Sequence, residues 1–229
     1  MEHTGSLGEH LSKELDVETV FTIFGLPVYE SVVVTWIIMA VIIIACILLT
    51  RNLKVENPGK VQLFLESVFS AGYNFFYDIL GENGKQYIGY LMTVILYIGF
   101  ANIMGIFGFK SHTKDLNVTI ALALMSIILI EGSALKYKGG KKFLKSFAEP
   151  IAIVAPINVL ELVIRPLSLC MRLFGNVLGA FVIMELLKYI CPVLLPVPFC
   201  LYFDIFDGLI QAYVFVFLTS LFMSEGLEE

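Results

Sequence analysis

Two stretches of this chain run far enough without charge to cross a bilayer, and a third, much longer, is nearly free of it. Ser31–Thr50 holds twenty residues and Gln86–Phe109 twenty-four, and from Ser146 to Ser224 only eight of 79 residues are charged. A hydrocarbon core about 30 Å thick takes roughly 20 apolar residues of helix. In lipid the backbone must satisfy its own N–H and C=O groups, so such runs fold as helices. Composition agrees: 58% of residues are hydrophobic and 15% charged, against about 45–50% and 25% in soluble domains. That balance excludes a disordered chain, a coiled coil, a nucleic-acid binder and an ordinary soluble enzyme, and predicts an all-α integral membrane protein. The net charge of −5 points to no anionic partner.

The order of the spans follows from what separates them. Residues 1–26 carry Glu2, Glu9, Glu14, Asp16 and Glu18 against Lys13. A cleaved signal needs a basic start followed directly by an apolar run, so this segment reads as a retained extracytoplasmic tail, and residues 27–229 as one transmembrane domain. Arg51, Lys54 and Lys60 follow the first run, and Lys136, Lys138, Lys141, Lys142 and Lys145 follow a span that begins at Leu116. Basic loops stay in the cytoplasm, which puts the N-terminus outside. Asn57-Pro58-Gly59 breaks the chain after the first span. Beyond it Gln62, Glu66, Ser70, Asn74 and Asp78 recur every four residues beside an aromatic face. A helix lying in the membrane interface and a helix packed on other spans fit that pattern equally. Gly99, Asn102, Gly105 and Gly108 have the spacing that lets helices approach closely in lipid. Pro192, Pro196 and Pro198 divide the last apolar stretch into two long helices, and the C-terminus returns to the cytoplasm. The expected architecture is about five spanning helices plus one interfacial helix.

Cys46, Cys170, Cys191 and Cys200 lie in apolar sequence without a CxxC pair and read as small buried hydrophobes; a Cys191–Cys200 bridge is the alternative. His3, His10 and His112 lie outside the spans, and no ligand spacing predicts a metal or cofactor. There is no GxxxxGKS/T phosphate loop either.

One helical face is polar. At about 100° per residue, Asn158, Glu161, Arg165, Ser168, Asn176 and Gly179 all fall within about 40° of Arg172. An arginine at membrane depth costs about 2.5–3.5 kcal/mol on insertion scales and stays charged there. Its own turn offers only Ser168 and Asn176 as hydrogen-bonding partners. Either Arg172 pairs with Asp204 or Asp207 of the next helix, or it snorkels to the surface, or it is a charge with a function. Pro166 kinks this helix or frees a carbonyl. On the last helix Asp204, Gly208 and Gln211 share a face. Glu185 and Lys188 are spaced as an ion pair, or Glu185 serves a wet cavity.

The segment Ser168-Leu-Cys-Met-Arg-Leu-Phe-Gly-Asn176 resembles the signature of subunit a of F-type ATP synthases, the membrane stator that faces the rotating c-ring. Asn57-Pro-Gly-Lys60, Thr113–Leu124, Glu149-Pro150, Pro156-Ile-Asn-Val-Leu-Glu161 and Ile210-Gln-Ala-Tyr-Val-Phe215 resemble the same family in the same order. The resemblance implies that Arg172 is the essential stator arginine. It implies that Asn176, Gln211, Asp204, Glu185, Glu161, Asn158 and Ser168 line two aqueous half-channels, with the long C-terminal hairpin facing the ring. Two positions depart from the pattern. Phe181 stands where some relatives carry an acid or His, with Glu185 one turn further; Gly108-Phe109-Lys110 replaces a Pro-Gly turn. The implied partners are the c-ring, peripheral-stalk b subunits, the rest of the ATP synthase and the lipid of a bacterial cell membrane. The implied work is coupling of proton or Na⁺ flow to ring rotation and ATP synthesis. A secondary transporter would show inverted repeats, and none is visible. An intramembrane enzyme would need a nucleophile beside a base. A structural scaffold would tolerate replacement of Arg172.

Overall fold

A computed structural model describes residues 19–23, 26–104, 115–140, 155–190 and 196–227. A short antiparallel hairpin, β1 (Thr19–Ile23) and β2 (Leu26–Tyr29), leads into α1 (Glu30–Thr50). The domain boundary drawn between residues 26 and 27 therefore falls inside this hairpin, after the first residue of β2. Next come α2 (Lys60–Gly84), a 3₁₀ turn (Lys85–Tyr87), α3 (Ile88–Ile103) and α4 (Leu116–Lys138). The C-terminal part holds α5 (Ala155–Ile190), the short α6 (Pro196–Cys200), a π-helical segment (Leu201–Asp207) and α7 (Gly208–Leu227). Five stretches are long and apolar enough to span a membrane: Glu30–Thr50, Lys60–Ile103, Leu116–Lys138, Pro156–Lys188 and Pro198–Leu227. The readings placed on residues 1–18, Gly105–Lys114, Lys141–Pro150, Cys191 and Pro192 lie outside the described residues.

The predicted breaks have local causes. Asn57 adopts φ 55°, a left-handed conformation just before Pro58. Gly81 adopts φ 64° and ψ −167° inside α2, a backbone open to glycine and strained for any other residue. The chain folds back there. Gly72 of α2 meets Met92 of α3 so closely that a Cβ would lie 2.7 Å from the sulfur. The two helices thus form an antiparallel hairpin. The second half of α2 packs on its neighbours through Phe76 and Leu80, and Phe75 lies against Tyr213 and Phe217 of α7. The first half, from Val61 to Phe69, is exposed. So the packed-helix alternative holds for the second half of the polar-striped segment.

The core lies between α2, α3, α4, α5 and α7. Its fully buried members include Leu91, Ile98, Ile130, Phe215, Val216 and Met223. The hydroxyls of Ser133, Thr219 and Ser220 inside it bond carbonyls of their own helices, Thr219 to that of Phe215 at 2.8 Å, which hides their polarity from lipid. Asp115 caps α4 by accepting from the Asn117 N–H at 2.9 Å and also accepts from the Ser31 hydroxyl of α1, tying the first span to the fourth helix.

One expectation stands and one is corrected. α5 ends at Ile190 and α6 starts at Pro196, so the predicted division into two helical stretches holds; Pro196 and Pro198 lie in the first turn of α6, which has no use for the missing N–H. Asp204, Gly208 and Gln211 do not belong to one uninterrupted α-helix. The π segment from Leu201 to Asp207 spends more residues per turn, so the seven-residue spacing from Asp204 to Gln211 is not two regular α-helical turns.

Candidate functional site

Helix α5 carries the polar face on a body packed along one side. Leu169, Cys170 and Leu173 are buried toward the rest of the chain; Leu160, Ile164, Leu167 and Met171 on the other side are exposed. Hydrophobic bulk all round makes the helix stable in lipid either way, so packing alone decides which side is covered. Arg172 lies between the two sides, partly buried. Among the described residues no hydrogen bond or ion pair reaches its guanidinium. The pairing with Asp207 that would have neutralised it inside the chain is not formed.

One turn further, Asn176 donates from Nδ2 to Oε1 of Gln211 at 2.6 Å. Gln211 is 3% exposed, and its Nε2 donor has no partner among the described residues. A buried donor left unmade costs about 1–3 kcal/mol, so this amide calls for an acceptor that the described residues do not supply. Next to it, Gly208 lets α7 close on α3. A Cβ there would sit 2.7 Å from the Asn102 Cβ, and the Asn102 amide donates to the Gly208 carbonyl at 2.8 Å.

At the other end of the same face lies a cavity of about 240 Å³. Asn158, Glu161, Leu162 and Arg165 of α5 line it, with Glu131 and Lys138 of α4 and Phe222 and Glu225 of α7. Arg165 donates to Glu161 at 2.8 Å and to Glu225 at 2.8 Å, and its guanidinium stacks 4.9 Å from the Phe222 ring centroid. α5 continues through Pro166, which has no N–H to offer the Leu162 carbonyl; that residue faces the cavity.

The predicted residues therefore separate into groups. Asn158 and Glu161 share the cavity, and Asn176 and Gln211 touch. Ser168 is exposed between them. Glu185 is in the ion pair that its spacing suggested, 2.6 Å from Lys188 Nζ. The backbone of Asp204 lies in the π segment. Three residues were missed by reading the sequence. Glu131 is the one acid within the span that starts at Leu116, a signal that was present. Glu225 gave no signal beyond its place among the acids near the C-terminus, and the role of Asn102 required knowledge of its partner helix. Among the described residues no group of three His, Cys, Asp or Glu side chains is placed to hold a metal ion.

Fold and site together define a polytopic helical membrane protein whose arginine-bearing helix is covered on one side only. Residues 32–224 match the family model described as ATP synthase A chain. The sodium ion specific ATP synthase subunit a of Propionigenium modestum is 32% identical over 90% of this chain and 76% of its own length. ATP synthase subunit a of Moorella thermoacetica is 33% identical over 90% and 94%, and that of Legionella pneumophila 30% over 91% and 90%. The chain belongs to the ATP synthase A chain family, as a multi-pass membrane component of that complex.

Proposed function

We propose that this subunit translocates the coupling ion, and that Arg172 is the fixed charge past which the carboxylates of a c-ring turn. The observation that carries the reading is a partly buried guanidinium on a half-covered helix with no anion among the described residues. A permanent positive charge in a low-dielectric setting favours the ionised form of a neighbouring carboxylate. An arriving ring subunit would release its ion on one side of Arg172 and reload on the other. The same charge opposes a cation passing straight through. Each unit charge moved contributes about 2.3 kcal/mol per 100 mV, so several ions are needed per ATP.

The bare stripe of Leu160, Ile164, Leu167 and Met171 suits a ring of apolar helices. Asn176, Gln211 and Asp204 are assigned to the half-channel open to the outside, with Glu185 at its rim in a form already neutralised by Lys188. Asn158 and Glu161, with their cavity, are assigned to the cytoplasmic one, and Ser168 to the ring-facing surface between the two. The basic loops orient the N-terminus outside and the C-terminus in the cytoplasm of a bacterial cell, with residues 27–229 as the membrane domain. The subunit works beside peripheral-stalk b subunits and leaves nucleotide chemistry to the rest of the complex.

The test is Arg172→Ala in the reconstituted complex. Coupled ATP synthesis should fall to background with the complex still assembled; normal coupled synthesis would refute the assignment. Measuring the Na⁺ dependence of the ATPase decides between proton and Na⁺.

A further inference from the structure

We propose that Arg165 is a positioning residue, a latch that ties α5 to the last turn of α7 and thereby holds Arg172 in register. The inference rests on the role given to Arg172 above. α5 and α7 touch at few points. Two polar ties join them: Asn176 to Gln211 at 2.6 Å and Arg165 to Glu225 at 2.8 Å. Arg172 lies between these ties, seven residues or about 10 Å beyond Arg165 and one turn before Asn176. α5 packs mainly on α4, and no described residue covers its opposite side, so the ties are what fix the charge against α7.

The chemistry of the latch is specific. Arg165 is 18% exposed, and Glu161 one turn away would suffice to neutralise it. The second carboxylate comes from a residue 60 positions away, so its engagement does a different job. Glu225 sits in the final turn of α7, at the negative end of the helix dipole, where an acid is unfavourable without a cation. The planar guanidinium serves both carboxylates and stacks on Phe222 at 4.9 Å; an ammonium cannot reproduce that fork. Glu131 and Lys138 line the same cavity. Glu131 is close enough to feel the charge of Arg165, but the ion pairs that Arg165 forms among the described residues go to Glu161 and Glu225.

The experiment measures ions moved per ATP hydrolysed, per assembled complex, in vesicles holding the whole enzyme. Glu225→Gln should lower that ratio several-fold, and Glu225→Asp should restore most of it. Arg165→Lys should recover only part. A Glu225→Gln complex with the parent ratio, beside an Arg172→Ala complex with none, would overturn the latch and leave the reading of Arg172 intact. Normal transport by Arg172→Ala would overturn both. To separate positioning from folding, Arg165→Cys/Glu225→Cys is placed in a cysteine-free complex and treated with a reducible bis-methanethiosulfonate linker. Cross-linking should raise the ratio several-fold and reduction should lower it again in the same sample. A ratio indifferent to the cross-link would overturn the proposal.

Discussion

The two long C-terminal helices are equally apolar, yet they live in different surroundings. In the most apolar stretch of Pro156–Lys188, 17% of residues are buried, against 39% in that of Pro198–Leu227. Both are equally hydrophobic, so the transfer of apolar surface cannot explain the difference, because lipid solvates Leu as well as a protein core does. Small residues and shape decide it. α7 has Gly208 and Gly226 at its crossings, where a Cβ would come within 2.7 Å of Asn102 and 3.0 Å of Ala134. On α5 the glycines Gly175 and Gly179 meet nothing within 4 Å. In the proposed arrangement this smooth side is where the ring would run.

The comparison can be broken or sharpened by substitution. The largest effect is expected at Arg172, where alanine should remove coupled synthesis altogether while the yield of complex holds, since the side chain bonds nothing described within the chain. Loss of the complex instead would mean that α5 needs Arg172 to fold. Next comes Phe215→Ala in α7. In soluble cores such a deletion costs about 3–5 kcal/mol; in lipid the packing part of that remains. Thermal unfolding of the purified complex should begin at lower temperature, and an unchanged melt would contradict the burial of Phe215. Gly208→Ala forces Asn102 aside and should cost about 1–3 kcal/mol, read as a smaller drop in the same melt. Gln211→Leu removes the acceptor of Asn176 and the orphan amide together. It should slow ion transport with little change in stability, and parent transport rates would take Gln211 out of the outer path. The smallest effect on the chain itself belongs to Leu167→Ala on the bare side of α5. Its melt should match the parent within error while association with the ring weakens; a destabilised isolated subunit would show that this side is covered from within.

Much of the fold could be read ahead of the structure because lipid leaves the backbone few choices. The uncharged run from Ser31 to Thr50 became α1 without revision. The Asn57-Pro58-Gly59 break and the polar spacing around Arg172 also stood. The Pro-rich break before α6 stood as well, whereas a π segment unseen in the residue pattern interrupts the regular α-helix between Asp204 and Gln211. The site was legible as a list of residues on one wheel. It was not legible as two separate clusters, because the partners of Asn176, Arg165 and Asn102 lie 35, 60 and 106 positions away.

What the residues alone determined is the number and apolarity of the helices, their breaks, and the presence of a charged arginine among them, since each depends on local sequence and on the solvent. What tertiary structure decided is which side of α5 stays bare, which acid holds Arg165 and which amide meets Gln211. In lipid those choices rest on close packing and on a few buried hydrogen bonds between distant segments, and no run of neighbouring residues encodes them.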